Sequence, residues 1–299
     1  MKKNNLDCSR YGIVNAKIIL DEALKNHYAI VHINANNLEW AKAAIEVAIS
    51  TNSPIIIGFS LGAIKYIGGY KLCVDICKDI TFELNKEKKI PIVIHLDHGD
   101  YDACIKAIDA GFTSIMFDGS SLEFEKNLEL TKKLVQLANK NDVSVEAELG
   151  RIGANKSVGE LAELKECKIM SETGIDALAV GIGNIHGLYP LDWKGLNLDL
   201  LANIHHENKH MPLVLHGGTG ISKEQILKSI QYGISKININ TECQIAFQKE
   251  VRNYFEQKLD LNYDNKGYDP RKIIGVGIKG VKEVIEEKLK LLGSYGVSK

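Results

Sequence analysis

The chain has 299 residues, 45% of them hydrophobic and 25% charged, a composition typical of a globular protein with a sizeable core. Its 37 basic and 38 acidic residues give a formal net charge of −1, so the charge balance predicts neither a nucleic-acid partner nor an anionic membrane as partner. The six cysteines are scattered without a Cys-x-x-Cys pair, the N-terminus has no apolar signal segment, and no apolar run is long enough to cross a membrane. We therefore expect reduced thiols and a cytoplasmic protein.

Short apolar segments rich in β-branched residues recur along the chain, and eight of them are predicted to be buried strands. In chain order these segments are 29–33, 54–59, 91–96, 113–117, 143–147, 177–181, 213–216 and 236–240. Helical patterns lie between them at 38–50, 123–140, 160–173 and 222–232, and a Tyr-Asp-Pro-Arg turn precedes a last helix within 268–292. Ser222 and Gln225 form a capping box at the start of one of these helices.

Strands that alternate with helices at this spacing predict a parallel sheet, and eight such units suit a (β/α)8 TIM barrel. We expect residues 1–299 to form this one domain, because no low-complexity segment or linker interrupts them. The alternative is a doubly wound open sheet. Its best support is the segment 181–187, Gly-Ile-Gly-Asn-Ile-His-Gly, but the glycine spacing does not match a dinucleotide-binding loop and no acidic residue ends a following strand at the right distance.

Polar residues cluster at the carboxyl ends of the predicted strands, the edge at which barrel enzymes carry their active sites. Three of them are histidines from three different strand ends, His98, His186 and His216. Three imidazoles on one rim predict a zinc site with an open position for substrate. The alternative interpretation is three unrelated histidines, each hydrogen-bonded near the surface.

Asp97 immediately precedes His98, and neighbouring side chains at a strand end point in different directions. We therefore expect Asp97 to face the substrate as a general acid or base while His98 faces the metal. The alternative is that Asp97 caps the next helix, because aspartate is a good N-cap. His95 is expected to orient a metal ligand from behind.

Two segments after the last predicted strands are candidates for phosphate binding. Residues 216–220 read His-Gly-Gly-Thr-Gly and residues 238–241 read Asn-Ile-Asn-Thr. Loops at these positions of a barrel offer backbone N–H groups and hydroxyls to a phosphate, although ordinary turn glycines remain the alternative. No lysine is expected at the end of a strand, since Lys236 begins its strand and should point to the opposite rim. The sequence therefore does not predict Schiff-base chemistry.

Together these features resemble the class II, zinc-dependent ketose-bisphosphate aldolases from about residue 14 to residue 293. The motifs that carry the resemblance are YAIVHINANNLEWAKA, SLGAIKYIGGY, HLDHG, GFTSIMFDGS, VEAELG, GIGNIHGLYP, LVLHGGTGI, KININTECQIAF and YDPRK. The resemblance implies a lyase of glycolysis and carbohydrate metabolism that acts on a phosphorylated ketose and assembles as a homodimer or homotetramer.

The resemblance also implies catalytic roles for matching positions. His98, His186 and His216 would bind the catalytic Zn²⁺, and Glu148 would hold it in an alternative position. Asp97 would exchange a proton with the C4 hydroxyl while the C3–C4 bond breaks and the metal carries the charge left behind.

A further set of residues would contact the substrate in such an enzyme. They are Asn34, Ser60, Gly187, Gly217, Gly218, Thr219, Asn238, Asn240, Thr241 and Arg271. Ser60 and Arg271 would meet the second phosphate, and a partner subunit could supply Arg271. Carbonyl groups around Gly187 and Gly217 would hold a monovalent cation, Na⁺ or K⁺.

The chain departs from the family pattern after VEAELG, where relatives carry a longer loop of the type Gly-Gly-Glu/Gln-Glu-Asp. Here residues 151–167 read RIGANKSVGELAELKEC, with Ala154 in place of the second glycine and Asn155 and Lys156 in place of the acids. Such loops close over substrate and help to move protons, so the difference puts turnover and substrate identity in question. Leu61 also stands where many relatives have glutamate.

Within the family, fructose-bisphosphate aldolases often have Asp or Asn at the position of Asn240, and tagatose-bisphosphate aldolases often have Ala. The resemblance therefore favours fructose 1,6-bisphosphate as substrate, because a polar group would hydrogen-bond the C4 hydroxyl of one epimer better. The alternatives are tagatose bisphosphate, a dehydro-deoxygluconate phosphate, or a degenerate relative that binds sugar phosphates without cleaving them. A metal-dependent hydrolase would be expected to carry a His-x-His pair after the first strand, where this chain reads VHINANN.

Overall fold

A closed barrel of parallel strands forms the centre of the computed structural model, which describes residues 11–154 and 157–298. Within those residues eight strands pair in chain order, and the last closes the barrel by pairing with the first. The strands are β1 (Ile30–Asn34), β2 (Ile55–Ser60), β3 (Ile92–Gly99), β4 (Ser114–Phe117), β5 (Ser144–Leu149), β6 (Ala177–Val180), β7 (Leu213–Leu215) and β8 (Ile234–Ile239). This topology confirms the predicted (β/α)8 barrel and excludes the doubly wound sheet.

Helices follow the strands and cover the outside of the barrel. In the described ranges they are α1 (Ala16–Asn26), α2 (Leu38–Thr51), α3 (Leu61–Ile67), α4 (Tyr70–Leu84), α5 (Tyr101–Ala110), α6 (Phe124–Asn139), α7 (Leu164–Ser171), α8 (Leu198–Glu207), α9 (Lys223–Gln231), α10 (Thr241–Glu256) and α11 (Pro270–Leu291). The predicted cap of α9 is confirmed, since Ser222 Oγ accepts a 3.3 Å hydrogen bond from the backbone N–H of Gln225. Of the helices described, none is both long enough and apolar enough to span a bilayer.

Alternation of side chains along the strands divides the core into two parts. Outward-facing residues pack beneath the helices in one large apolar cluster. Inward-facing residues at the N-terminal end, such as Ile30 and Val93, pack against α1, which closes that end of the barrel. Further along the strands, buried inward-facing positions become polar, at His32, His95, Glu146 and Lys236.

Lys236 lies in a different place from the one expected from the sequence. Strand β8 begins at Ile234, so Lys236 is its third residue, and its side chain is buried inside the barrel. The prediction that Lys236 points to the opposite rim is therefore wrong. The apolar pattern missed the start of the strand because Ser235 and Lys236 interrupt it.

Candidate active site

Three histidine rings meet at the C-terminal end of the barrel. His98 lies in β3, His186 in the loop after β6, and His216 directly after β7. His98 Nε2 is 3.3 Å from His186 Nε2 and 3.0 Å from His216 Nδ1. Nitrogen ligands of a tetrahedral zinc ion, with bonds of about 2.0–2.1 Å, stand about 3.3 Å apart. The spacing of the three rings therefore fits one shared metal ion.

Two carboxylates hold two of these rings from behind. His98 Nδ1 lies 2.7 Å from Asp118 Oδ2, and His216 Nε2 lies 2.9 Å from Glu146 Oε1. A carboxylate that accepts a hydrogen bond from one ring nitrogen leaves the lone pair on the other. In the neutral rings that a metal ion requires, both lone pairs would then face the point where the three rings converge.

Strand β3 is irregular where it supplies the site. Its pairing with β4 shifts register between Leu96 and Gly99, and His98 has a left-handed backbone with φ of +51°. This conformation is strained for a residue with a Cβ, and strain of this kind concentrates at functional sites. The irregular backbone lets two adjacent residues, Asp97 and His98, line the same cavity.

Electrostatic interactions shift several groups of the site away from their usual protonation. Burial alone would lower the pKa of His98, but Asp97 and Asp118 raise it to about 9. Burial lowers the pKa of His186 to about 3, and burial together with Asp118 raises the pKa of Glu148 to about 8. Groups shifted in opposite directions within one cleft are typical of a catalytic site.

Asp97 is a buried, hydrogen-bonded carboxylate beside the histidines. Its Oδ2 accepts a 2.7 Å hydrogen bond from Asn34 Nδ2, and its Oδ1 accepts a 3.2 Å bond from Asn238 Nδ2. Burial raises the pKa of Asp97, but nearby imidazoles, above all His98, outweigh burial and hold the pKa well below its usual range. Asp97 is therefore ionised and can accept a proton.

The cap of the helix after β3 is a different aspartate. Asp100 Oδ1 accepts a 2.8 Å hydrogen bond from the backbone N–H of Ala103 at the start of α5. The alternative interpretation of Asp97 as the helix cap is therefore wrong, and the Asp97 carboxylate faces the cavity instead.

A cavity of about 230 Å³ brings together most residues predicted to contact substrate. Its lining consists of Asn34, Ser60, Asp97, His98, His186, Gly187, Gly217, Thr219, Asn238, Asn240 and Thr241. Gly218 has a packing role beside it, because a Cβ there would lie 2.5 Å from Ile237 Cγ2. Tyr189 joins two loops of this cavity: its hydroxyl accepts from the N–H of Ile185 at 3.1 Å and donates to the carbonyl of Gly217 at 2.8 Å.

A second cavity of about 490 Å³ lies against the first, and His98 and His186 line both. The remaining lining residues of the second cavity are Leu61, Asp100, Asp118, Ser120, Ser121, Glu148, Arg151 and Ile152. The three-histidine cluster thus stands where the two cavities meet, with space for a ligand on either side.

One family of enzymes matches nearly all of this chain. The sequence pattern of the family described as fructose-bisphosphate aldolase class II matches residues 14–297. The chain belongs to the class II fructose-bisphosphate aldolase family. It is therefore a lyase, as the motifs at the strand ends predicted.

Relatives of known name support membership of this aldolase family along the whole chain. The fructose-bisphosphate aldolase of Mycoplasma genitalium is 49% identical over 286 residues, which cover 94% of this chain and 98% of that protein. The fructose-bisphosphate aldolase of Streptococcus pneumoniae is 43% identical over 292 residues, covering 95% and 99%.

Solved structures of aldolases share the fold. The crystal structure of the YdjI aldolase from Escherichia coli K12 superposes with a TM-score of 0.81 at 30% identity. The superposition covers 96% of this chain and 100% of that chain. The fructose-bisphosphate aldolase of Campylobacter jejuni gives a TM-score of 0.82 at 25% identity, covering 95% and 97%.

Glu148 lies near the proposed aldolase metal site, on the side of the His98 ring that faces away from the other two histidines. Its Oε2 is 3.8 Å from His98 Nδ1, the nitrogen that also contacts Asp118, and is buried with no hydrogen-bond partner among the described residues. His98, Asp118 and Glu148 form a second group of close ligand atoms. Glu148 is thus separate from the three-histidine group, and its role as an alternative ligand stays a prediction.

Arg271 is predicted to contact the aldolase substrate, but it is absent from the lining of both cavities. It lies in the first turn of α11, and its side chain is 89% exposed. Its guanidinium binds Asp269 through three contacts: Nε lies 3.1 Å from Oδ1 and 3.2 Å from Oδ2, and Nη2 lies 2.6 Å from Oδ2. Within the described part of the chain, Arg271 therefore does not reach the candidate active site of its own subunit.

The loop that departs from the aldolase family pattern is attached to the loop that carries His186. The backbone N–H of Gly153 donates to Asn184 O at 3.0 Å, and the N–H of His186 donates to Gly153 O at 2.8 Å. The substituted positions Asn155 and Lys156 lie outside the described residues. The attached part of the loop fixes the backbone of a proposed metal ligand.

Sequence reasoning missed the roles of three residues around the aldolase site, of which Glu146 and Lys236 are buried. These are Asp118 behind His98, Glu146 behind His216, and Lys236 beside Glu146. Asp118 follows the apolar segment of β4 directly, so the strand-end rule that found the histidines would also have found it. Lys236 gives no such signal, because it lies within its strand.

Proposed function

We propose that this protein cleaves fructose 1,6-bisphosphate reversibly into dihydroxyacetone phosphate and glyceraldehyde 3-phosphate, a step of glycolysis expected in the cytoplasm. The observation that carries the proposal is the Asp97 carboxylate, which Asn34 and Asn238 hold in the same cavity as His98 and His186. Aldol cleavage needs a base for a hydroxyl proton beside a group that stabilises negative charge on a former carbonyl. The names of the relatives support the choice of substrate.

Zinc is the metal in this proposal, and His98, His186 and His216 are its ligands. Their nitrogen spacing of 3.0 and 3.3 Å and their carboxylate partners fit zinc bound by three imidazoles with one open position. When bound, the ion would act as a Lewis acid that polarises the substrate carbonyl and stabilises the charge that develops there.

Asp97 is the proposed base. It would take the proton from the C4 hydroxyl as that oxygen becomes the aldehyde oxygen and the C3–C4 bond breaks. The electron pair of that bond stays on the three-carbon fragment, and a proton added at C3 completes dihydroxyacetone phosphate. The amides of Asn34 and Asn238 hold the carboxylate at 2.7 and 3.2 Å, so little reorganisation is needed when the proton moves.

The loops after β6, β7 and β8 are the proposed site for the phosphate of the dihydroxyacetone moiety. Gly187 and Gly217 have φ of +94° and +70°, and both line the cavity with Thr219 and Thr241. Such glycines let backbone groups approach an anion closely. Carbonyl groups around the two glycines are the proposed ligands of Na⁺ or K⁺.

Asn240 and Ser60 are the proposed contacts for the other half of the substrate. Asn240 lines the cavity, and its side-chain oxygen is buried with no hydrogen-bond partner in the described part of the chain. A buried amide oxygen without a partner is costly, and a sugar hydroxyl would satisfy it. Ser60 lines the same cavity. Arg271 would join the second phosphate from a partner subunit of a homodimer or homotetramer.

The test is a cleavage assay on the zinc-loaded protein. Release of dihydroxyacetone phosphate from fructose 1,6-bisphosphate is coupled to NADH oxidation, with and without a chelator. We expect turnover that the chelator abolishes and that Asp97→Asn lowers by about 10²–10⁴-fold, the usual contribution of a general acid or base. Asp102→Asn is the matched control, because this exposed aspartate lies on α5, away from the cavity lining.

Other outcomes would redirect or reject the proposal. Turnover of tagatose bisphosphate but not of fructose bisphosphate would keep the chemistry and change the substrate. Zinc binding without cleavage of any ketose phosphate would indicate a sugar-phosphate-binding protein. Full activity of Asp97→Asn would remove Asp97 from the mechanism.

A further inference from the structure

We propose that Lys236 is a positioning residue that acts through Glu146 to make Nδ1 of His216 the nitrogen available to the metal. The inference rests on the proposed three-histidine metal site and assigns a role to the charged interior of the barrel beneath it. The hydrogen-bond partners of Lys236 Nζ are Glu146 and His95, and Glu146 is the one that also contacts His216.

Lys236 is a buried ammonium group with two defined neighbours. Its side chain is 1% exposed, and its Nζ lies 2.6 Å from Glu146 Oε2 and 3.2 Å from His95 Nε2. His95 is fixed in turn by Ser114, whose Oγ lies 2.8 Å from His95 Nδ1. A buried charge without compensation is costly, so the Glu146 carboxylate must remain beside this lysine.

Glu146 divides its two oxygens between two partners. Oε2 contacts Lys236, and Oε1 lies 2.9 Å from His216 Nε2. With one oxygen engaged by the ammonium group, the carboxylate cannot rotate or withdraw from His216.

A carboxylate paired at 2.6 Å with a buried ammonium group only accepts hydrogen bonds, and this property decides the tautomer of His216. Nε2 must carry the proton that Glu146 accepts, and Nδ1 must then carry the lone pair. Nδ1 is the nitrogen that lies 3.0 Å from His98 Nε2, at the point where the three rings converge.

The other two proposed ligands present Nε2 to the metal position, whereas His216 presents Nδ1. His216 therefore needs the tautomer that carries its proton on Nε2. His98 and His186 approach each other through Nε2. If His216 carried its proton on Nδ1, an N–H group would point at the metal position and the ligand would be lost. The Lys236–Glu146 pair excludes that tautomer.

The test measures zinc affinity of the full chain by competition with a chromophoric chelator. In Lys236→Met the carboxylate loses the partner of Oε2, and we expect zinc affinity to fall by about 10–100-fold, as for other residues that orient metal ligands. Lys288→Met is the matched control, since Lys288 is also a largely buried lysine, 2.7 Å from Glu242 Oε1. Its zinc affinity should equal that of the parent.

Two double variants separate orientation of His216 from the burial of charge. Lys236→Met/Glu146→Gln removes both charges but keeps an amide oxygen that can accept from His216 Nε2. Lys236→Met/Glu146→Leu removes both charges and the acceptor. We expect the glutamine variant to bind zinc within a few-fold of the parent and the leucine variant to bind about 10–100-fold more weakly. Because neither buries an unpaired charge, both remain informative even where the single variant fails to fold.

Nitrogen-15 NMR of the His216 ring in the metal-free protein gives a second readout. The parent should show a protonated Nε2 and a bare Nδ1, and the leucine variant should lose this preference. Equal zinc affinity of the two double variants, or an unchanged tautomer in both, would overturn the inference. Failure of the parent itself to bind zinc would instead reject the three-histidine metal site, so the two failures are distinguishable.

Discussion

Adjacent residues of one strand carry the two halves of the proposed chemistry. Asp97 is held by amides of β1 and β8, whereas His98 is held by the carboxylate of Asp118 beyond the end of β4. The register shift of β3 and the left-handed backbone of His98 make these different neighbourhoods possible. The strain at His98 is therefore part of how the site is built.

The hydrogen bond from Asn34 should tune the proposed base. Asn34→Ala removes the 2.7 Å bond to Asp97 Oδ2, and a hydrogen bond to a charged group contributes about 1.5–3 kcal/mol. We expect kcat to fall by about 10–100-fold. Because the lost bond stabilised the charged form, the pKa of Asp97 should rise, and the acidic limb of the pH–rate profile should move to higher pH.

The control for this prediction is Asn203→Ala, an exposed asparagine on α8. It should leave both kcat and the pH–rate profile unchanged. A parental kcat and an unshifted acidic limb in Asn34→Ala would contradict the prediction.

His205 should make stability depend on pH. Burial, and the nearby His27 and Lys209, lower the pKa of His205 below its ordinary value of 6.5. The folded state then resists protonation that the unfolded state accepts, so this group costs no stability above pH 6.5 and reduces stability as pH falls below it. His205→Gln should therefore gain stability relative to the parent on going from about pH 8 to about pH 5.5, measured by urea unfolding. If the difference in unfolding free energy between His205→Gln and the parent stays constant with pH, or changes in favour of the parent, His205 is not the source of the pH dependence.

The strands were easier to predict than the helices. Each of the eight strands overlaps a predicted segment, because a strand buried on both faces leaves a continuous apolar run in the sequence. Helices α3 and α5, by contrast, are short and follow strand ends that carry site residues, so their patterns merge with polar positions. The predicted helix 160–173 is helical only at Leu164–Ser171, since the residues before it belong to the loop near His186.

Helix α11 offers a prediction on two glycines of one element. A Cβ at Gly275 would have no heavy atom within 4 Å, whereas a Cβ at Gly277 would lie 2.4 Å from the ring of Phe247. Gly275→Ala should stabilise the protein by about 0.5–1 kcal/mol, because alanine loses less conformational entropy in a helix. Gly277→Ala should destabilise it by about 1–3 kcal/mol, because the helix must move away from α10. Urea unfolding of both variants measures the two values, and equal effects would contradict the packing described here.

The proposed metal site exists only in the closed barrel. His98, His186 and His216 are separated by long stretches of sequence, yet His98 lies within 3.0 and 3.3 Å of the other two. A metal held by three such strand ends binds the folded state and has no comparable site in the unfolded chain. Zinc binding at this proposed site would therefore be linked to global stability.

Zinc should raise the thermal stability of the metal-stripped protein. Ligand binding adds about 2.7 kcal/mol to the free energy of unfolding when free zinc is 100 times its Kd. We expect Tm, measured by calorimetry, to increase with zinc concentration in the parent and not in His186→Ala. His206→Ala, an exposed histidine on α8, is the control and should keep the increase. A zinc-dependent rise in Tm that survives in His186→Ala would place the metal elsewhere.

The sequence by itself determined the barrel, the family and most residues of the site. Apolar runs report burial, and polar residues directly after such runs report the C-terminal rim, so Asp97, the three histidines and Gly217 could be found from their positions. Gly187 was found only through the family resemblance. Only the tertiary structure decided which groups hold them. The contacts of Asp118, Glu146 and Lys236 depend on strand register and on the direction in which each side chain points. A register shift of one residue would reverse that direction, and no local sequence pattern records the register.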